Sequence, residues 1–476
     1  MDGYSRKWSI LTVVTLVSFI TNLDSTIVII GLAKLMEGLH LTVVAGLWTI
    51  TAYVIASTVF LLPAGRWADR VGTKKIFLGG FLIFTLATVL CGMAGSGFTM
   101  ILFRTIQGMG AALALATATP IIMKAFPKEQ LGLAIGINST SWVIGAIVGP
   151  VAGGALIGAF GWRSIFFVTV PFTIIGLIAA WFILEDERIS QKSVTDWIGT
   201  FSFGLGLTSL MIALSEGQSW GWDSMPILGL CLITVGLWIV FGYTELRVKD
   251  PLFDFRLLSH RYYATGLGMT LSYCIGFFGI TFLLTIYLQG ALHLTPLTSG
   301  LLLIPLSAPQ LVMGPFGGKL ADRFGPLRLL FLGTIILAGG IFFLGNLGVK
   351  LSVAAVVIPL FVISIANSLG WPSLAKAVLA SAPRERAGAA SGMFYTVYNV
   401  GRAFSQVLAL MVIEFYVSPE AVSRALSGIA KIQDRQMVAA LVHSTNAGFR
   451  MFILFFGVIL LLIFFLLDGM EKIENE

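Results

Sequence analysis

The chain is poor in charge. Asp, Glu, Lys and Arg make up 11% of its 476 residues, against about 25% in a soluble globular domain. Hydrophobic residues make up 57% and the mean hydropathy is +0.93, which excludes an ordinary water-soluble body. Cysteine is nearly absent. Cys91, Cys231 and Cys274 stand singly in apolar runs, so neither a disulfide framework nor a thiolate metal site can be built, and packing roles remain. Histidine is scarce as well: His40, His260, His293 and His443 fall in loops or at the ends of apolar runs. With no Ser/His/Asp set, metal cluster or phosphate-cradling loop, the chain reads as not an enzyme and as needing no cofactor. The formal net charge of +7 needs no nucleic acid to explain it; basic loops beside anionic lipid account for it.

What the chain has in abundance is long apolar runs. Fourteen candidate spans lie near 8–32, 44–64, 76–94, 98–122, 131–158, 164–184, 196–215, 225–244, 263–289, 296–316, 328–346, 351–378, 388–415 and 449–468. Backbone polar groups cannot stay unpaired in hydrocarbon, so these runs are expected as helices of an all-α membrane protein; the alternating pattern of a barrel is absent. An even number of spans puts both termini on one side. With those termini cytoplasmic, 21 of the 30 Lys and Arg residues fall in cytoplasmic segments, 7 in outer loops, and Arg104 and Arg402 inside spans. The basic excess marks the inner side, so a multi-pass protein of the cell membrane with cytoplasmic termini is expected. The first span follows Arg6-Lys7, is too long for a secretory leader and contains Asp24, which reads as an uncleaved anchor.

A charged octapeptide occurs twice. Gly65-Arg66-Trp67-Ala68-Asp69-Arg70-Val71-Gly72 returns 253 residues later as Gly318-Lys319-Leu320-Ala321-Asp322-Arg323-Phe324-Gly325, with five positions identical and Arg66/Lys319 keeping the charge. Each copy lies between apolar spans, so the chain contains two related helical halves, an arrangement by which many secondary transporters build a central path. Hydrophilic stretches after Leu184 and over 245–261 divide the chain into six, two and six spans. The expected domains are 1–188, an N-terminal six-helix bundle; 189–262, a linker carrying two extra spans; and 263–476, a C-terminal six-helix bundle. Trp220 and Trp222 stand at the turn of the extra hairpin, where an interfacial belt places tryptophan. The segment 416–448 reads either as a surface helix at the headgroups or as a lid.

Few charges lie inside the spans: Asp24, Arg104 and Arg402, with Glu414 near the end of its run. A charge at the bilayer centre costs at least about 2.5–3.5 kcal/mol on insertion scales, which makes these residues functional candidates. Asp24 lies about 12 Å from the outer end of its run and Arg104 about 9 Å from the outer end of its own. The opposite charges are therefore at similar depth. Two readings stay open: a static ion pair fixing two helices, or a proton switch. In the second, desolvation favours the protonated carboxyl and the arginine favours the carboxylate, so a site whose hydration alternates loads and releases a proton. That role requires the carboxyl to reach a water-accessible vestibule. Gly145, Gly149 and Gly153 are spaced by four, with Gly154 adjoining and Pro150 among them. They form a smooth, bendable face that suits either a helix rocking against the opposite bundle or ordinary small-residue packing.

These motifs resemble the major facilitator superfamily, in particular its fourteen-span drug:proton antiporter branch, over nearly the whole chain. Leu23-Asp24-Ser25-Thr26-Ile27-Val28 is similar to that branch's first-span signature. Leu102-Phe103-Arg104-Thr105-Ile106-Gln107-Gly108-Met109-Gly110 is similar to the fourth-span motif in which the arginine serves proton coupling. The stretch Gly145 to Gly154 resembles the motif of antiporters. Gly161-Trp162-Arg163 with Val170-Pro171, and Tyr287-Leu288-Gln289 with Pro296, Gly300 and Pro305, resemble further parts of the branch. The resemblance implies a major facilitator fold of two six-helix bundles with a central two-helix insertion. It implies a conformational gate at Gly65, Arg66, Asp69, Arg70 and Gly72 and at Gly318, Asp322 and Arg323. It also implies a substrate cavity bordered by Asn22, Tyr53, Gln107, Asn138, Trp142, Tyr273, Gln310, Asn367, Tyr395, Tyr398, Asn399 and Arg402. Each of these is as compatible with helix packing as with ligand contact; as a set they describe a mostly apolar chamber suited to lipophilic molecules. Arg402 departs from the family pattern, where a small residue is expected. It either neutralises an anionic substrate group, or snorkels or pairs structurally.

The expected function is export of lipophilic organic compounds by a monomeric proton-coupled antiporter through alternating access, with Asp24 as proton carrier, Arg104 as its modulator and the proton gradient as driving force. The same machinery could serve one endogenous metabolite, lipid or peptide. A membrane sensor or enzyme, or a proton-independent uniporter, is the reading of another class.

Overall fold

The structure, a computed structural model, describes residues 6–185, 196–248, 251, 253–382, 387–418, 421–422 and 435–474. Every regular element among them is helical. The chain begins with α1 (Lys7–Leu39), α2 (Val43–Val71), α3 (Thr73–Met93), α4 (Gly97–Ala125) and α5 (Lys128–Phe160). A sixth span is formed by α6 (Ser164–Phe167) and α7 (Thr169–Ile183), and the central hairpin by α8 (Trp197–Trp220) and α9 (Met225–Arg247). Then follow α10 (Arg261–Thr285), α11 (Pro296–Leu303), α12 (Ala308–Phe324), α13 (Pro326–Leu344), α14 (Val353–Ala380), α15 (Ala387–Tyr416) and α16 (Arg435–Glu474). Fourteen of the resulting spans are long and apolar enough to cross a membrane.

Four spans differ from the sequence expectation. α1 continues to Leu39 rather than stopping near residue 32, because Lys34 stays exposed and pairs with Glu37 at 2.6 Å one turn on; such a pair supports a helix. His40 then ends it in the left-handed region, with φ 53°. The tenth span is not one helix. Pro305 cannot donate a backbone hydrogen bond, and a 3-10 turn at Ile304–Leu306 separates α11 from α12. α10 likewise unwinds into a π turn at Ile286–Ala291. The last helix starts at Arg435, well before residue 449; residues 419–420 and 423–434 lie outside the described residues, and with them most of the surface-helix-or-lid segment.

The chain forms two compact units. One comprises Met1–Leu210, Leu228–Leu252 and Thr295–Leu301; the other comprises Met211–Ile227, Phe253–Leu294 and Leu302–Glu476. The central hairpin is thus divided between the units rather than forming a body of its own, and the expected boundary at 188/189 lies outside the described residues. In the first unit α1 packs on α5, and α4 packs on both α2 and α3; in the second α13 packs on α14, and α10 on α15 and α16.

The repeat extends beyond the octapeptide. Gly72 and Gly325 both hold positive φ, 107° and 86°, a region open mainly to glycine, and each turns the chain from one span into the next. Eight residues after each turn sits another matched glycine. A Cβ on Gly80 would meet Ala114 N at 2.8 Å and Gly110 O at 2.9 Å; one on Gly333 would meet Gly370 N at 2.9 Å and Ala366 O at 3.0 Å. Backbone against backbone therefore fixes α3 on α4 and, in the same manner, α13 on α14.

Candidate functional site

Asp24 and Arg104 meet. Arg104 Nη1 donates to Asp24 Oδ2 at 2.6 Å, and both side chains are 0% exposed. α1, α2, α3 and α4 each contribute to the cluster around them. Arg104 Nε donates to the Thr49 carbonyl at 2.9 Å, and Nη1 also reaches Gln107 Oε1 at 2.5 Å. Gln107 Nε2 in turn donates to Asp24 Oδ1 at 2.9 Å and to Thr88 Oγ1 at 2.7 Å. The Tyr53 ring lies beneath the guanidinium, 4.3 Å from its centre, and Tyr53 Oη reaches the Thr21 carbonyl at 3.4 Å. Carboxylate, guanidinium and amide thus close a hydrogen-bonded ring. Arg104 Nη2 has no partner among the described residues.

This geometry shuts Asp24 away, with both oxygens accepting bonds, so a proton switch at this residue requires the ring to open before the carboxyl reaches water. It also places two expected cavity residues in the ring rather than on a wall: Gln107 is fully buried and bridges the ion pair, and Tyr53 stacks on Arg104. Gln107 stands three residues after Arg104, hence on the same helix face, a signal the sequence carried. Thr49 and Thr88 had no such signal, since Thr49 acts through its backbone carbonyl and a buried threonine hydroxyl such as that of Thr88 ordinarily bonds its own helix.

α5 lies against α1. Asn22 donates through Nδ2 to the Trp142 carbonyl, and Thr26 donates to the Gly145 carbonyl at 3.2 Å. A Cβ on Gly145, Gly149 or Gly153 would meet α1 at Phe19 and Leu23, at Thr26, or at Ile27. The glycine face is therefore closed by α1 of its own unit, not by an opposite bundle. Gly154 instead meets Pro296 and Leu297 at the start of α11, and Pro150 meets Gly300 there. Asn138 Oδ1 has no partner among the described residues, and Trp142 is half-buried. Of the expected gate, Gly65, Gly72 and Arg323 are described, Arg323 being exposed over the Phe324 ring. The side chains of Arg66, Asp69, Arg70 and Asp322, with Gly318, lie outside the described residues.

The second unit holds a polar relay and a wall of rings. Tyr273 Oη donates to Asn367 Oδ1 at 2.7 Å, Asn367 Nδ2 to Gln310 Oε1 at 3.0 Å, and Gln310 Nε2 to the Leu306 carbonyl at 2.8 Å. Tyr273, Trp371 and Tyr398 follow one another with centroids 5.7 and 5.2 Å apart, and Phe278 lies 5.3 Å from Tyr398. Trp371, which joins two of these rings, was not among the expected residues. Tyr395, Tyr398, Asn399 and Arg402 recur at the spacing of one α15 face. Arg402 lies 5.5 Å from the Phe278 ring. Glu414 is buried, 4% exposed, and neither carboxylate oxygen has a hydrogen-bond partner among the described residues.

The family model described as Major Facilitator Superfamily matches residues 14–406. The chain belongs to that superfamily. This facilitator is 30% identical over 403 residues, 84% of its length and 69% of the other's, to an uncharacterized MFS-type transporter, Rv1250, of Mycobacterium tuberculosis. It is 29% identical to the tetracenomycin C resistance and export protein of Streptomyces glaucescens, covering 83% of this chain and 74% of that protein. It is 28% identical to the multidrug transporter protein MdtP of Bacillus subtilis, covering 84% and 74%. Among solved structures, a bacterial homolog of the human lysosomal transporter Spinster, inward-facing and unoccupied, superposes with a TM-score of 0.65 at 17% identity, over 97% of this chain and 96% of that one. A POT family transporter in complex with 5-aminolevulinic acid gives 0.66 at 14% identity, over 97% and 96%. The facilitator is a multi-pass membrane protein and a transporter rather than an enzyme, with relatives named for multidrug resistance and export.

Proposed function

We propose that this facilitator exports lipophilic organic compounds from the cell in exchange for protons, by alternating access, as a monomer of the cell membrane with both termini cytoplasmic. The proton gradient supplies the driving force and no cofactor takes part. The observation that carries the reading is the closed ring of Asp24, Arg104 and Gln107. Both carboxyl oxygens accept donors within this ring. Protonation removes its charge, releases Arg104 from its ion pair and frees Gln107, so proton binding and helix rearrangement are one event. Export-named relatives support the direction of transport.

The full burial of the pair favours a second reading, in which Asp24 and Arg104 are a structural clamp and the transporter takes its energy elsewhere. Purified protein in proteoliposomes separates the two. Substrate added to a wild-type preparation should release protons, read by an entrapped pH dye, and Asp24→Asn should bind substrate without releasing them. Proton release by Asp24→Asn at the wild-type yield per substrate would leave the clamp standing and remove Asp24 from coupling.

A further inference from the structure

The two arginines within the spans have opposite surroundings. Arg104 is wholly enclosed and bonded to a carboxylate, a carbonyl and an amide. Arg402 is half-buried, and among the described residues it has neither a hydrogen bond nor an ion pair, only the face of Phe278 at 5.5 Å. It lies fifteen residues into the 30-residue α15, too deep to reach either end of the span. The acidic residue on the same helix, Glu414, is twelve positions away, about 18 Å along the axis. One turn beyond Arg402, Gln406 is 2% exposed and its Oε1 has no partner among the described residues; a side-chain amide reverses easily, so this group can offer donors as well. On the other side of Arg402, Tyr395, Tyr398 and Asn399 continue the same face. Phe278 and Trp371 stand against Tyr398 from two other helices, at 5.3 and 5.2 Å.

A cation placed here would meet uncompensated positive charge. A neutral molecule would leave the guanidinium without a counterion. An anion on a flat apolar body satisfies both parts: its charged end takes the fork of donors on Arg402, which suits two oxygens on one atom, and its body lies on the rings. We propose that Arg402, Gln406 and the rings of Phe278, Trp371, Tyr395 and Tyr398 form a binding site for organic carboxylates or sulfonates bearing a fused or aromatic ring system. This deepens the export reading given above and rests on it for the site's purpose.

The test is equilibrium binding to protein in phosphatidylcholine nanodiscs without a proton gradient, read by energy transfer from tryptophan to pyrene. The probes are 1-pyrenebutyrate, 1-pyrenebutanol and the pyrenebutyl trimethylammonium ion. Wild type should bind the carboxylate about ten-fold or more tightly than the alcohol, a difference of about 1.4 kcal/mol. Arg402→Gln should reduce that preference to less than about two-fold, Arg402→Lys should keep part of it, and Trp371→Leu should weaken both probes alike. A preference unchanged in Arg402→Gln, or tightest binding of the trimethylammonium probe by wild type, overturns the proposal. Adding phosphatidylglycerol should leave carboxylate binding intact; its loss would assign the site to a lipid headgroup and equally overturn the claim. Asp24→Asn should keep the wild-type preference, so failure of proton coupling and failure of this site are told apart.

Discussion

Removing one partner of the Asp24–Arg104 pair should be far more damaging than removing both. Arg104→Leu leaves Asp24 Oδ2 without its donor at 0% exposure, and the Thr49 carbonyl loses its partner as well. Asp24→Leu leaves a guanidinium enclosed with Nη2 already unpartnered. Breaking a buried pair from one side costs about 3–5 kcal/mol, whereas replacing both members by apolar residues is often neutral or better. The double variant Asp24→Leu/Arg104→Leu should therefore lie far above the sum of the singles, with a coupling energy on the order of 3 kcal/mol. At about 2–4 °C per kcal/mol for a body of this size, each single variant should melt roughly 6–20 °C below wild type. The assay is tryptophan emission on heating in detergent micelles at one fixed scan rate, since such unfolding is ordinarily irreversible. Additive losses in the double variant would refute the claim that the two charges act as one unit. Asp24→Asn is the milder change, because the asparagine oxygen still accepts from Arg104 and the Gln107 amide can reverse to match the new donor.

Two further outcomes follow from packing and burial. Gly80→Ala should lower the melting temperature through an overpacking cost of about 1–3 kcal/mol, and Gly333→Ala should do the same, whereas Gly79→Ala, with nothing within 4 Å of its added carbon, should be silent; a silent Gly80→Ala would mean that α3 and α4 do not touch there. Glu414→Gln should raise the melting temperature at pH 8 or leave it unchanged, because it removes a buried charge that no donor among the described residues meets, and a loss of more than about 1 kcal/mol would show that the carboxylate has a partner.

The spans were legible because lipid leaves the chain no choice: a run of some twenty apolar residues in hydrocarbon must be helical. Asp24 and Arg104 were legible because charge inside a span is costly and rare. That they touch was not, since depth follows from position along a helix while sideways neighbours depend on packing. Gln107 shows how narrowly the rest was missed. Its polarity marked it for a cavity wall, yet its spacing from Arg104 put it on the ion-pair face. The end of α1 was misplaced because Lys34 looks like a terminator until Glu37 is seen beside it. The octapeptide revealed the duplication, but its offset of 253 also carries Gly80 onto Gly333, and a single glycine in an apolar run gives no sign of the backbone it must admit.

That duplicated glycine crossing has a practical consequence. α3 and α4, like α13 and α14, are joined too closely for either helix to slip past its mate, so each pair travels as a stiff beam. Gly79, next to the first crossing, and Gly339, six residues beyond the second on α13, have nothing within 4 Å of an added carbon. Spectroscopic labels attached there would ride on those beams without disturbing them, and the distance between the labels would register the turnover of a single molecule as it works.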